Sequence, residues 1–123
     1  MDPDLPAIPD DDTPTIAERA LVLRAGGREQ PVRVAFGTPR RDVPVVGGHD
    51  WRCPVRIEVG DALIRRQALG IDSWQALQLA FAIARDELAA LAARPGAELL
   101  ALGVPLDPGH PDLPHRPGPP WIP

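Results

Sequence analysis

Apolar and polar positions alternate in four stretches of the chain before the period changes once. From Ile16 to Arg24, Ala17, Arg19, Leu21 and Leu23 alternate with Glu18, Ala20, Val22 and Arg24. That period of two predicts a strand, with both faces partly apolar. Gln30 to Phe36 alternates more cleanly, with Val32, Val34 and Phe36 against Arg33 and Ala35. Between these runs, Ala25-Gly26-Gly27-Arg28 predicts a hairpin turn, because paired glycines accept positive φ. Trp51 to Val59 carries the strongest alternation. Trp51, Cys53, Val55, Ile57 and Val59 share one face, and Arg52, Pro54, Arg56 and Glu58 the other. Pro54 cannot donate a ladder hydrogen bond and predicts an edge or a bulge. A turn at Gly60-Asp61 leads into a fourth strand, Ala62 to Leu69.

After Gly70 the period lengthens. Trp74, Leu77, Phe81, Ala84, Leu88 and Leu91 recur at three- and four-residue steps, which predicts a helix with these residues on its buried face, widened by Leu79, Ala80 and Ile83. Asp72 is placed to cap it, with Gln75 three residues on as the partner that reaches back. Pro95 and Gly96 require the helix to stop near Ala93. Glu98 to Leu102 predicts a fifth, short strand. Residues 37–50 hold Pro39, Pro44 and Gly47-Gly48 and read as a long loop. The predicted class is α+β, an antiparallel sheet of four to five strands in two β-hairpins. One long helix lies across one face, with extended proline-rich termini.

Two segments together carry a resemblance, Trp51-Arg52-Cys53-Pro54-Val55-Arg56-Ile57 and Gly70-Ile71-Asp72-Ser73-Trp74-Gln75-Ala76-Leu77. They resemble a family of small bacterial domains of unknown function with a W-x-C-P-x-R-I strand followed by G-[VI]-D-S-x-Q-A-L at a helix start. The resemblance implies the same hairpins and long helix over roughly residues 18–106. It carries over no catalytic residue. Related small domains look like immunity or partner-binding modules.

Composition divides the chain into an acidic leader (1–14), an α+β domain (15–104) and a proline-rich arm (105–123). The leader holds five Asp and no basic residue, a composition that predicts disorder. All 13 basic residues are Arg; the central domain holds twelve of them against ten acids, for a charge of +2. That excess is too small to argue for nucleic acid. In the arm, Pro105, Pro108, Pro111, Pro114, Pro117, Pro120 and Pro123 recur at every third residue, the repeat of a polyproline II helix. No apolar run reaches membrane-spanning length, and the acidic N-terminus does not read as a signal peptide. The expected location is therefore the cytoplasm.

Candidate chemistry is sparse. Cys53 alternates with core residues and reads as a buried structural thiol. His49 lies four residues before it, but no third ligand is near, and zinc takes three or four. No phosphate loop, nucleophile elbow or dinucleotide fingerprint is present, so no cofactor is expected. The distinctive surface is the sheet face opposite the helix, where Arg33, Arg52 and Arg56 are joined by Arg65 or Arg66. That face reads either as cross-strand pairs with Glu18 or Glu58 or as a docking surface for an acidic partner. With Trp121 in the arm, Arg33, Arg52, Arg56 and Arg65 form the candidate partner-binding set. The expected function is a non-catalytic protein-binding module, immunity-type or accessory. The expected partner is another protein, with a homodimer through the Pro54 strand as a further expectation. The alternative is a small enzyme or accessory subunit with its site around loop 37–50, near Arg40, Arg41, His49 and Cys53.

Overall fold

A computed structural model describes residues 5–106. Its strands are β1 (Thr15–Ala25), β2 (Arg28–Gly37), β3 (Arg40–Val45), β4 (Gly48–Val59) and β5 (Ala62–Gly70). The helix α1 (Ser73–Ala92) and the strands β6 (Glu98–Ala101) and β7 (Val104–Pro105) follow. The α+β class matches the sequence reading, with seven strands in one sheet among the described residues where four to five were predicted. Every pairing is antiparallel. Trp121 and the rest of the arm beyond Leu106 lie outside the described residues.

The additional strands come from the stretch read as a loop. β2 and β3 run along the same side of β4, with Phe36 opposite Val55 and Arg40 opposite Arg52. They are two halves of one long arm, broken at Gly37-Thr38-Pro39. Pro39 and Pro44 bound or interrupt β3 without abolishing it, because Pro44 pairs His49 at the end of a hairpin that turns at Val46-Gly47. Pro54 is likewise not on an edge, since β4 has partners on both sides. On the β2/β3 side no ladder partner stands opposite Cys53 and Pro54. The missing donor falls where the ladder is already interrupted. Among the described residues the strand that carries Pro54 is thus interior to the sheet, and the predicted edge position is corrected.

Parity along β4 gives the sheet two different faces. Cys53, Val55, Ile57 and Val59 join Leu21, Leu23, Val32, Val34 and Phe36 in the core beneath α1. The helix buries Ala76, Ala80, Ala84, Leu88 and Leu91. Ala84, Leu88 and Leu91 match the predicted face and Ala80 its widened margin, whereas Trp74 and Phe81 do not lie on it. Trp74 is 73% exposed and Phe81 49%. The first half of the buried stripe is alanine because the helix backbone lies close to the sheet there. Gly70 shows how close, since a Cβ on it would stand 2.5 Å from the Ala76 nitrogen. The larger side chains are displaced to the flank. Asp72 caps the helix, its Oδ1 accepting from the Gln75 nitrogen at 2.7 Å. The Gln75 side chain reaches back one residue beyond the cap, accepting from the Ile71 nitrogen at 2.8 Å.

Candidate functional site: an arginine trough filled by the leader

Arg52, Arg56 and Glu58 of β4 project from the face opposite the helix, beside Gln67 and Arg65 of β5. Arg52 is completely buried. A guanidinium there must use all its donors, since an unpaired buried charge is severely destabilising. It does so with five hydrogen bonds. Nε donates to Asp42 Oδ1 at 2.7 Å and Nη2 to Asp42 Oδ2 at 3.0 Å. Nη1 donates to Gln67 Oε1 at 3.0 Å and to the Asp11 carbonyl at 2.8 Å. Nη2 also donates to Asp11 Oδ1 at 3.3 Å. Asp42 meets Arg52 because the ladder shifts register between Arg40 and Val43, and such an irregularity re-aims a side chain. The pairing holds the Asp42 carboxyl below its ordinary value, chiefly through the hydrogen bond from Arg52. The same bond raises the Arg52 guanidinium.

Two of the five bonds come from outside the sheet. The leader, expected to be disordered, crosses this face from Pro9 to Pro14. Gln67 Nε2 donates to the Pro9 carbonyl at 2.7 Å. Asp12 lies 3.3 Å from Arg56 Nε and 3.8 Å from Arg65 Nη2. Thr13 is buried and donates to the Thr38 carbonyl at 2.6 Å, and the Thr38 nitrogen donates to the Pro14 carbonyl at 2.8 Å. Gly37 makes this crossing possible, because a Cβ on it would overlap the Thr13 hydroxyl. The leader is held in register by backbone contacts and side-chain charge together. Its seat on Arg56 is imperfect. Arg56 Nε is buried and near Asp12, yet it makes no hydrogen bond. Beside it a hollow of about 400 Å³ remains, lined by Asp10, Asp12, Pro54, Arg65, Arg66 and Gln67.

The predicted arginines therefore divide. Arg52, Arg56 and Arg65 converge on the leader. Arg33 stands apart, its Nε donating to Glu18 at 2.8 Å and its Nη1 lying 3.5 Å from Glu58, and the Glu18 bond raises its guanidinium. Arg66 points to the helix face, where its Nε meets Glu87 at 3.0 Å. Residues missed by sequence reasoning are Asp42 and Gln67, which complete the trough, and Asp11 and Asp12, which fill it. The five-Asp leader facing a +2 domain was the available signal.

The residues of the alternative site are divided between the core and the surface. Cys53 is enclosed, its thiol donates to the Gly37 carbonyl at 3.3 Å, and burial pushes its pKa up to about 11. Such a thiol is protonated at neutral pH and is a poor nucleophile. His49 is exposed on the β3–β4 hairpin, where its carbonyl accepts from Arg41 Nε at 3.0 Å. Among the described residues no group of three or more His, Cys, Asp or Glu side chains is arranged to hold a metal. No helix among them is long and apolar enough to cross a membrane.

No curated protein and no solved structure matches the chain. A family model described as a domain of unknown function, DUF6968, matches residues 17–111, a span that holds Asp42, Arg52, Arg56 and Gln67 and leaves out Asp11 and Asp12. The chain belongs to this DUF6968 family.

Proposed function

We propose that the protein is a non-catalytic protein-binding module whose arginine trough receives an acidic, extended segment of a partner, with its own leader as the resident occupant. One observation carries this reading. Arg52 is fully buried, yet two of its five hydrogen bonds are to Asp11, a residue outside the sheet. The domain thus presents a preformed carboxylate- and carbonyl-binding fork, already oriented by Asp42 and Gln67. The unbonded Arg56 Nε and the adjoining hollow leave room for a better-fitting acid than Asp12. Immunity-type or accessory action is the biological form of this reading, in a small bacterial, cytoplasmic protein, with the proline-rich arm and Trp121 as a second contact.

The test compares the intact chain with a chain of residues 15–123, using a fluorescein-labelled PDDDTP peptide as the probe. The shortened chain should bind the peptide at least about tenfold more tightly, because a tethered leader competes at millimolar effective concentration. Arg56→Glu should abolish the binding. Equal affinity of both chains, or binding that survives Arg56→Glu, contradicts the reading.

A further inference from the structure

Asp12 and Thr13, side by side in the leader, fit the trough unequally. Thr13 is buried, and its hydroxyl donates to the Thr38 carbonyl at 2.6 Å. That hydroxyl takes up the space a Cβ on Gly37 would need. Asp12 is the loose contact. Its Oδ2 lies 3.3 Å from Arg56 Nε and 3.8 Å from Arg65 Nη2, both longer than the about 2.7–2.9 Å of a charge-assisted hydrogen bond. The other acid near Arg56, Glu58, lies 3.7 Å from its Nη2, so the buried Arg56 Nε stays without a hydrogen bond. Space is not the limit, because Asp12 and Arg65 both line the hollow of about 400 Å³. Arg66, on the same hollow, already donates to Glu87 at 3.0 Å. Asp11 asks for less than either neighbour. Its carbonyl accepts from Arg52 at 2.8 Å, but its carboxylate only at 3.3 Å, and its side chain is 73% exposed.

We infer that the trough selects glutamate followed by threonine or serine at the places of Asp12 and Thr13, so that the partner's segment carries Glu-Thr or Glu-Ser and the leader is the weaker occupant. This rests on the reading of the trough as a partner site. Glutamate carries its carboxylate one C–C bond further from the backbone, about 1.5 Å. The gaps to Arg56 and Arg65 exceed an ideal bond by only about 0.5 and 1 Å, so one added methylene spans both. The longer side chain loses more rotamer freedom, and a charge-assisted hydrogen bond to a buried donor outweighs that loss. With Arg66 engaged by Glu87, two guanidiniums face the incoming group. Two suit a single carboxylate better than a phosphate dianion. At the next place, valine would match the shape of Thr13 but remove the donor to the Thr38 carbonyl. A weak resident of this kind holds the buried Arg52 satisfied until a better-fitting segment displaces it.

The first arm of the test uses the full chain, where the leader stands in for the partner. Asp12→Glu should raise the melting temperature by at least about 2 °C, and the gain should vanish when the chain also carries Arg56→Gln. Thr13→Val should melt lower than Thr13→Ser. An unchanged or lower melting temperature for Asp12→Glu overturns the inference and leaves the trough's use by a partner standing. A gain that survives Arg56→Gln, or Thr13→Val as stable as Thr13→Ser, does the same. The second arm adds labelled peptides to the full chain carrying Asp12→Lys, whose leader is weakened as a competitor. The peptide PDDETP should bind at least about tenfold more tightly than PDDDTP, and PDDEVP should lose most of that gain. Equal affinities of PDDETP and PDDDTP overturn the inference alone. Tighter binding of PDD-pSer-TP than of PDDETP overturns it in favour of a phosphorylated segment. No saturable binding of any of these peptides up to millimolar concentration overturns the partner reading and the inference with it.

Discussion

Asp42 and Arg52 meet in a two-pronged pair, Nε to Oδ1 at 2.7 Å and Nη2 to Oδ2 at 3.0 Å, with the arginine wholly removed from solvent. This pair orients the guanidinium so that its remaining donors face Gln67 and the leader. Asp42→Ala leaves a buried cation short of its counter-charge and should destabilise the fold by about 3–5 kcal/mol. The double variant Asp42→Leu with Arg52→Leu should cost less than Asp42→Ala alone, because an apolar pair leaves no charge unmatched. Urea melts of the three chains decide it.

The same pair sets a pH dependence. The folded-state pKa of Asp42 lies below its ordinary value of 3.8. Its stabilising contribution is complete above that value and is lost as the pH falls through the lowered folded value. Wild type should therefore lose stability on acidification below about pH 4 more steeply than Asp42→Asn. Parallel acid titrations of the two melting temperatures would contradict this.

The helix face can be tested by size. Ala80 is fully buried against the sheet, so Ala80→Leu should destabilise by about 1–3 kcal/mol or more through overpacking. Trp74→Ala, at a largely exposed position, should stay within about 0.5 kcal/mol of wild type. Phe81→Ala should fall between them, well short of the about 3–5 kcal/mol of a core phenylalanine. Equilibrium denaturation gives all three values.

Cys53 should react with a thiol reagent at pH 8 only as fast as the fold opens, since burial lifts its pKa to about 11. Mild denaturant should accelerate labelling in step with unfolding. Rapid labelling of the native chain would mean that the thiol is accessible.

Leu102 occupies the left-handed region at φ 52° and is 94% exposed, at the turn between β6 and β7. A branched side chain there costs about 1–2 kcal/mol. Leu102→Asn should raise stability by a measurable fraction of that, read as an increase in melting temperature.

The strands with clean alternation were legible in the sequence, and so were the helix ends marked by Asp72 and Pro95. The second half of the helix face, Ala84, Leu88 and Leu91, was legible too; the first half was not, because the size of Trp74 and Phe81 pointed to burial while close helix–sheet approach requires the alanines. Residues 37–50 read as a loop because Pro39 and Pro44 usually exclude strands, and nothing local reveals that β4 offers them a ladder. Arg52, Arg56 and Arg65 were placed on one face by parity alone. The leader's seat on them was not legible, because it rests on Gly37 leaving room for Thr13 and on a register shift that turns Asp42 inward. Both are long-range matters.

The most direct measurement of the central claim follows the arginine side chains themselves. A chain of residues 15–123 is labelled with ¹⁵N, and its arginine Nε–Hε resonances are recorded while a peptide of residues 5–14 is added in trans. The resonances of Arg52 and Arg56 should move to saturation toward their positions in the intact chain, while Arg24 and Arg28 on the distant hairpin stay still. Unmoved Arg52 and Arg56 signals, or equal shifts at all four arginines, would contradict a trough that recognises an acidic segment.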